Sequence, residues 1–514
     1  MSWESTTHNR AQARTWLAGR RRRTGCDALL PVSGIARRPL RSPMMKTPGS
    51  TQWFIRCCLL AILGSTLFLT SCGGASPAPT PSTASGWTWM GGSSQGLGSG
   101  GGTESSVYGT EGIAAGTNVP GGRAGSVSWT DNSGNFWLFG GTGYDSLGNT
   151  AYFSDLWEFT PSTKMWTWIS GSNTSNTVGI YGTMGIAAAT NVPGARYASS
   201  GWTDSSGNLW LFGGIGPDST GIVGFLNQVW KFNPTTKLWT WMGGSDLNGY
   251  SPNHGGTGPG ARSDSVSWKD NNGKFWLFGG VGGDFSGVVG YLNDLWKFDP
   301  EYQTWEMMSG NPLSDVKGSY GSLGVAAATS VPGARVAANG WTDTSGNLWL
   351  FGGIGYDSTG FQGWLNDLWK FNPTTQTWTW MSGSDLGDSP GSYGTPGVAA
   401  VGDTPGTTSW ASTWIDSSGN FWLFGGYGAG SVDAGASFDD LWEYNPTTGE
   451  WTWVNGTSHD NTVAVYGTQG VCAPANVPGS RSGAASWMDS SGNLWLFGGV
   501  DPWANYLNDL WLYH

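Results

Sequence analysis

The residues best placed to do chemistry are five arginines, Arg123, Arg196, Arg262, Arg335 and Arg481, which recur at one position of a repeated sequence. Beyond residue 71 they are the only arginines, and the eight other basic residues there are all lysines. A position that takes Arg and never Lys asks for a planar fork of fixed donors, the shape that matches carboxylate, phosphate or sulfate. Two uses are open: bonding backbone carbonyls of an adjacent structural unit, or forming a positive ring for an anionic ligand. In the fifth repeat the position is Thr408. Five tyrosines, Tyr108, Tyr181, Tyr320, Tyr393 and Tyr466, recur in a loop segment typified by Tyr181-Gly182-Thr183-Met184-Gly185. Their repetition fits packing, with ligand contact as the alternative. Tyr144, Tyr356, Trp364 and Trp503 could stack on sugar rings or fill the core. His254, His459 and His514 are scattered without metal-ligand spacing, so no metal centre, cofactor or catalytic cluster is expected. Asp145, Asp218, Asp284 and Asp357 sit in Gly-rich loops, where a turn aspartate bonding its own backbone is the simpler reading than calcium.

The elements that position these residues come from self-similarity. Phe136-Trp137-Leu138-Phe139-Gly140-Gly141 returns with its second glycine at Gly214, Gly280, Gly353, Gly426 and Gly499, at spacings of 73, 66, 73, 73 and 73. Each unit predicts four strands: a small-residue strand a (197–202 in the second unit), an apolar strand b (209–212), strand c (229–232) and a Trp-x-Trp strand d (239–241). Tight turns with Asp, Ser, Gly, Asn and Pro join a to b and c to d. Strand b is apolar at every position, so both of its faces must be covered. The last unit ends at His514 without its Trp-x-Trp, and Trp87-Thr88-Trp89 near the other end supplies it. The third unit lacks the Tyr-Gly loop segment, which predicts a notch there and a candidate asymmetric groove.

Composition agrees with this plan. Aromatic residues make up 14% of the 514, including 35 Trp, against 11% charged, so the chain must bury rings in quantity. Long helical stretches are absent. The predicted fold is all-β: a six-bladed β-propeller of four-stranded antiparallel blades, closed by the N-terminal strand completing the last blade. Strand polarity places the long d-to-a and b-to-c loops on one face, where recognition on a rigid scaffold usually resides.

The opening Arg of strand a, the glycine pair, and the Trp residues of strands c and d resemble Kelch repeats over residues 86–514, with units longer than the roughly 50 residues usual for Kelch. The resemblance implies a propeller that serves mostly as a binding platform, with the arginines at the mouth of the central channel. It also keeps a carbohydrate-active enzyme as the alternative. A galactose oxidase-like copper site would have to use Cys472, the sole thiol of the repeats. Asp204-Ser205-Ser206-Gly207-Asn208-Leu209-Trp210 is similar to the Asp box of sialidases but one residue too long, and reads better as a hairpin turn.

The N-terminal region belongs to another regime. Eleven of the 24 basic residues lie within the first 56 positions, and the apolar run 57–69 leads into Leu69-Thr70-Ser71-Cys72. That pattern resembles a bacterial lipoprotein signal with Cys72 as the lipidated residue; an ordinary secretory signal is the alternative. The expected organisation is an extension over 1–43, a signal peptide over 44–71, a Ser/Pro/Gly tether over 72–85 and the repeats over 86–514. Beyond residue 71 there are 13 basic and 33 acidic residues, a formal charge of −20, which disfavours nucleic acid as a partner. The expectation is an exported, membrane-anchored, non-catalytic binding or scaffold module for a protein or glycan.

Overall fold

The computed structural model describes residues 85–94, 104–144, 149–249, 258–429 and 435–514. The expected extension, signal, lipidated Cys72 and tether lie outside the described residues, as do Asp145 and His254. The described chain is all-β, without a helix, and propeller-like: small antiparallel sheets, six of them with four or five strands, five of these six each built from one sequence repeat. In the second repeat strands a to d are Ser200–Thr203, Leu209–Phe212, Val229–Asn233 and Leu238–Gly243, in the order d-c-b-a. In the last repeat strand d is Trp87–Gly91, which pairs antiparallel with Leu510–Tyr513, Trp87 facing Tyr513.

The apolar strand b behaves as its composition requires. All four residues of Leu209–Phe212 are buried, as are those of Phe136–Phe139 and Leu494–Phe497. The cores lie between successive sheets. One joins Trp137 and Phe139 to Leu211 and Trp230, and another joins Phe136 and Trp157 of the first repeat to Trp487 and Leu510 of the last. Strand-a tryptophans stack flat on the next sheet, Trp202 on Phe275 at 5.2 Å and Trp487 on Phe136 at 5.4 Å. Their indole N–H groups donate onward to strand-b carbonyls: Trp129 to Trp210, Trp268 to Trp349, and Trp487 back to Trp137. These strand-a rings thus find both an apolar neighbour and an acceptor, whereas the buried indole N–H groups of Trp239, Trp378 and Trp451 on the strands d find no acceptor among the described residues.

The inserted d-to-a segments do not all crowd one face. Each folds back along the outer strand d of the following sheet: Gly185 N–H donates to the Trp241 carbonyl, Gly324 to Trp380 and Gly470 to Trp89. An outermost strand leaves a row of unpaired peptide groups, and these segments cover it.

Candidate functional site

The five arginines are interior residues, each at most 2% exposed. Arg123 Nη1 and Nη2 donate to the two carboxylate oxygens of Asp155 at 2.7 and 2.8 Å, Nη1 also to the Gly140 carbonyl, and Nε to the Gly121 carbonyl. Arg262–Asp294, Arg335–Asp367 and Arg481–Asp509 repeat the pairing. These acceptors belong to the same repeat as the arginine rather than to a neighbour. What reaches the neighbouring sheet is the backbone: Gly141 N–H donates to the Arg196 carbonyl and Gly499 N–H to that of Arg123. Burial depresses Arg335, and the Asp367 carboxylate outweighs it, so the guanidinium titrates above its usual range. A fork consumed this way has little left to offer a ligand.

The tyrosines join the same clusters. Tyr108, Tyr320, Tyr393 and Tyr466 donate their hydroxyls to Asp155, Asp367, Asp440 and Asp509, while Tyr181 accepts from Gln228 Nε2. Each ring also packs between the strand-c Trp and the second Trp of strand d, as Tyr320 does between Trp369 and Trp380. In the third repeat Phe285 stacks on Trp296 instead, 6.5 Å away and nearly parallel. A cavity of about 400 Å³ beside this repeat is lined by Phe212, Met242, Gly258 and Trp305.

Two repeats break the ion pair, in opposite senses. Arg196 faces Gln228, and burial without a carboxylate pulls it down to about 10. Asp440 faces Thr408, and burial pushes its carboxyl up to about 6 against the bonds from Tyr393 and Trp442. A raised carboxyl means the folded state holds the proton more tightly than the unfolded chain, so this group favours folding at low pH. That stability is lost as pH rises from about 4 through 6, by about 3 kcal/mol in all. With choline as the only cation in solution, Asp440→Asn should therefore gain about 2 kcal/mol relative to wild type between pH 4.5 and 7.5 in urea unfolding; parallel curves would contradict it.

The aspartates of the tight turns are structural. Asp204 Oδ1 accepts from Ser206 and Asn208 N–H, and Oδ2 from Trp210 Nε1. Asp218 likewise accepts from the backbone of Thr220 and Ile222. Among the described residues no three His, Cys, Asp or Glu side chains gather as metal ligands would.

A different set converges two residues after each arginine position. Gly125, Ala198, Asp264, Ala337, Trp410 and Gly483 all have positive φ, between 52° and 67°. Their peptide groups form a cycle: Ala198 N–H donates to the Gly125 carbonyl, Asp264 to Ala198, Ala337 to Asp264, Trp410 to Ala337, Gly483 to Trp410, and Gly125 back to Gly483. Four members are Gly or Ala. The other two, Asp264 and Trp410, meet across the cycle, Trp410 Nε1 donating to Asp264 Oδ1 at 2.9 Å. Left-handed φ is costly for a bulky residue such as Trp, and strain of this kind gathers at functional sites. Burial raises the Asp264 carboxyl against the bonds from Ser263 and Trp410.

The arms that continue strands b and c past the glycine pair, together with Tyr197 next to Arg196, carry a half-buried aromatic collar: Tyr152 stacks on Tyr197, Tyr291 meets Tyr356, Trp364 meets Tyr427, and Tyr144 meets Tyr506. Tyr197 and Tyr291 both feel the charge of Asp264. The sequence flagged Tyr144, Tyr356 and Trp364 but missed Asp264 and Trp410. The available signal was their size at a position that is otherwise Gly or Ala.

A second concavity, about 760 Å³, is lined by Tyr466, Arg481, Asp501, Trp503 and Leu507. From the second glycine to the next buried apolar residue of strand c the spacing is 12 in five repeats and 8 in the last, Gly499 to Leu507, so a shorter arm opens this space. No family model matches the chain.

Proposed function

We propose that this chain is a six-bladed, Kelch-type propeller, lipid-anchored outside the cytoplasm, and that it acts without catalysis to bind a neutral glycan at the aromatic collar around Asp264 and Trp410. The ring reading is supported by the cycle of six backbone hydrogen bonds and by the indole hydrogen bond from Trp487 to the Trp137 carbonyl. The glycan reading rests on one observation: Trp410, 37% exposed in a left-handed conformation, is bonded to the Asp264 carboxylate, whose charge reaches the half-buried rings of Tyr197 and Tyr291. Aromatic faces take the C–H faces of sugar rings, and a carboxylate with lone pairs to spare accepts their hydroxyls. The arginines, buried and paired, give no reason to favour an anionic ligand, and a formal charge of −20 beyond residue 71 disfavours one.

A glycan array followed by calorimetry on the full chain tests this. Trp410→Ala should weaken binding at least about tenfold, the loss of roughly one buried stacking contact, whereas Trp503→Ala, in the other cavity, should leave it unchanged. Absence of any glycan ligand, or an affinity indifferent to Trp410, would overturn the reading; binding of a peptide at the collar would replace it.

A further inference from the structure

In four sheets three kinds of acceptor converge on one guanidinium. Around Arg335 they are the Gly333 carbonyl, the Gly352 carbonyl and the Asp367 carboxylate. The fifth repeat keeps all three at the same register, as Gly406, Gly425 and Asp440, and changes only the donor to Thr408. The Thr408 hydroxyl donates to the Gly425 carbonyl at 3.1 Å and so replaces one of the lost bonds. Asp440 is 5% exposed; the two side chains that donate to it, Tyr393 at 2.6 Å and Trp442 at 2.7 Å, both address Oδ2, and its own backbone N–H is a further donor. Among the described residues no cationic side chain pairs with Asp440, and the adjacent Asp439 adds like charge. Gly406, Thr408, Gly425 and Asp440 line a cavity of about 10 Å³, room for one water-sized sphere.

We propose that this cavity binds one small monovalent cation, ammonium or potassium, which takes over the neutralising part that the guanidinium plays in the sister sheets. The oxygen set decides the class. One carboxylate beside two carbonyls and a hydroxyl supplies a single negative charge, which one monovalent ion neutralises, whereas a divalent site usually gathers several carboxylates. Tyr393, Phe438 and Trp442 wall the cavity, which excludes bulky amines. A buried carboxylate with no counter-charge is costly, so a cation that fits will be held by the folded state and not by the unfolded chain. The site is independent of the collar and of any glycan.

Thermal unfolding of the full chain at pH 8, where Asp440 is ionised, tests the proposal at constant ionic strength in ammonium, potassium or choline chloride. Wild type should melt about 2 °C higher in 100 mM ammonium or potassium than in choline, and the gain should saturate with concentration. Thr408→Arg, which restores the guanidinium, should melt higher than wild type in choline and lose the dependence on cation identity. Asp440→Asn should lose it too, and decides the matter if Thr408→Arg does not fold. A wild type that melts alike in all three salts overturns the proposal, as does Asp440→Asn retaining the full difference.

Discussion

Asp367→Ala is expected to destabilise the protein by about 3–5 kcal/mol, as removal of one partner from a buried ion pair does. The change strands Arg335, 1% exposed, with a positive charge that only carbonyls then address, and it orphans the Tyr320 hydroxyl and the Trp369 indole N–H, which both donate to Asp367 Oδ2. Because Tyr320 belongs to the segment covering strand Thr377–Ser382, the damage extends to the outer edge of the sheet. Asp367→Asn should cost less, since the second repeat already works with an amide: Gln228 accepts from Arg196 and donates to Tyr181. Equilibrium unfolding in guanidinium chloride measures both. A loss below about 1 kcal/mol for the alanine variant would mean that the cluster does not bind strand c to its loop, contrary to the geometry.

Trp87→Ala is expected to cost about 3–5 kcal/mol, the range for removing a large aromatic from a well-packed core. Trp87 is 1% exposed, packs edge-on against Phe424 and Tyr513, and lies in the strand that pairs the start of the repeats with Leu510–Tyr513 at their end. Deleting residues 85–91 should do more. It would bare the edge of Leu510–Tyr513 together with an apolar surface of Trp511 and Tyr466, a template for pairing with other chains. Light scattering and size exclusion during mild heating should show association of the deletion variant at temperatures where wild type stays dispersed. A deletion variant that remains monomeric with an unchanged melting temperature would show that this strand is dispensable.

How far the sequence could be read differs from residue to residue. The repeat period, the strand-b segments 209–212 and 136–139, the hairpin turns at Asp204 and the pairing of the Trp87 segment with the C-terminus were all legible, because each follows from local periodicity, turn chemistry or counting. The selection of Arg over Lys was also legible, together with its reason, the need for a planar fork. Which acceptors fill that fork was not. Arg123 and Asp155 are 32 residues apart in the chain, with a glycine pair and a loop between them, and no local pattern links them.

The same distance hides the residues that stand out most in the folded chain. By itself the sequence determined that this protein is a series of all-β units with buried aromatic strands, since burial of rings and turn propensity act over a few residues at a time. Only the tertiary structure decided that the arginines are spent inside their own sheets, that Asp440 is buried with no cationic side chain beside it among the described residues, and that Trp410 meets Asp264 across a cycle of backbone hydrogen bonds from six repeats. Charge compensation and hydrogen-bond saturation are sums over neighbours in space, and those neighbours are assembled from strands that lie tens to hundreds of residues apart.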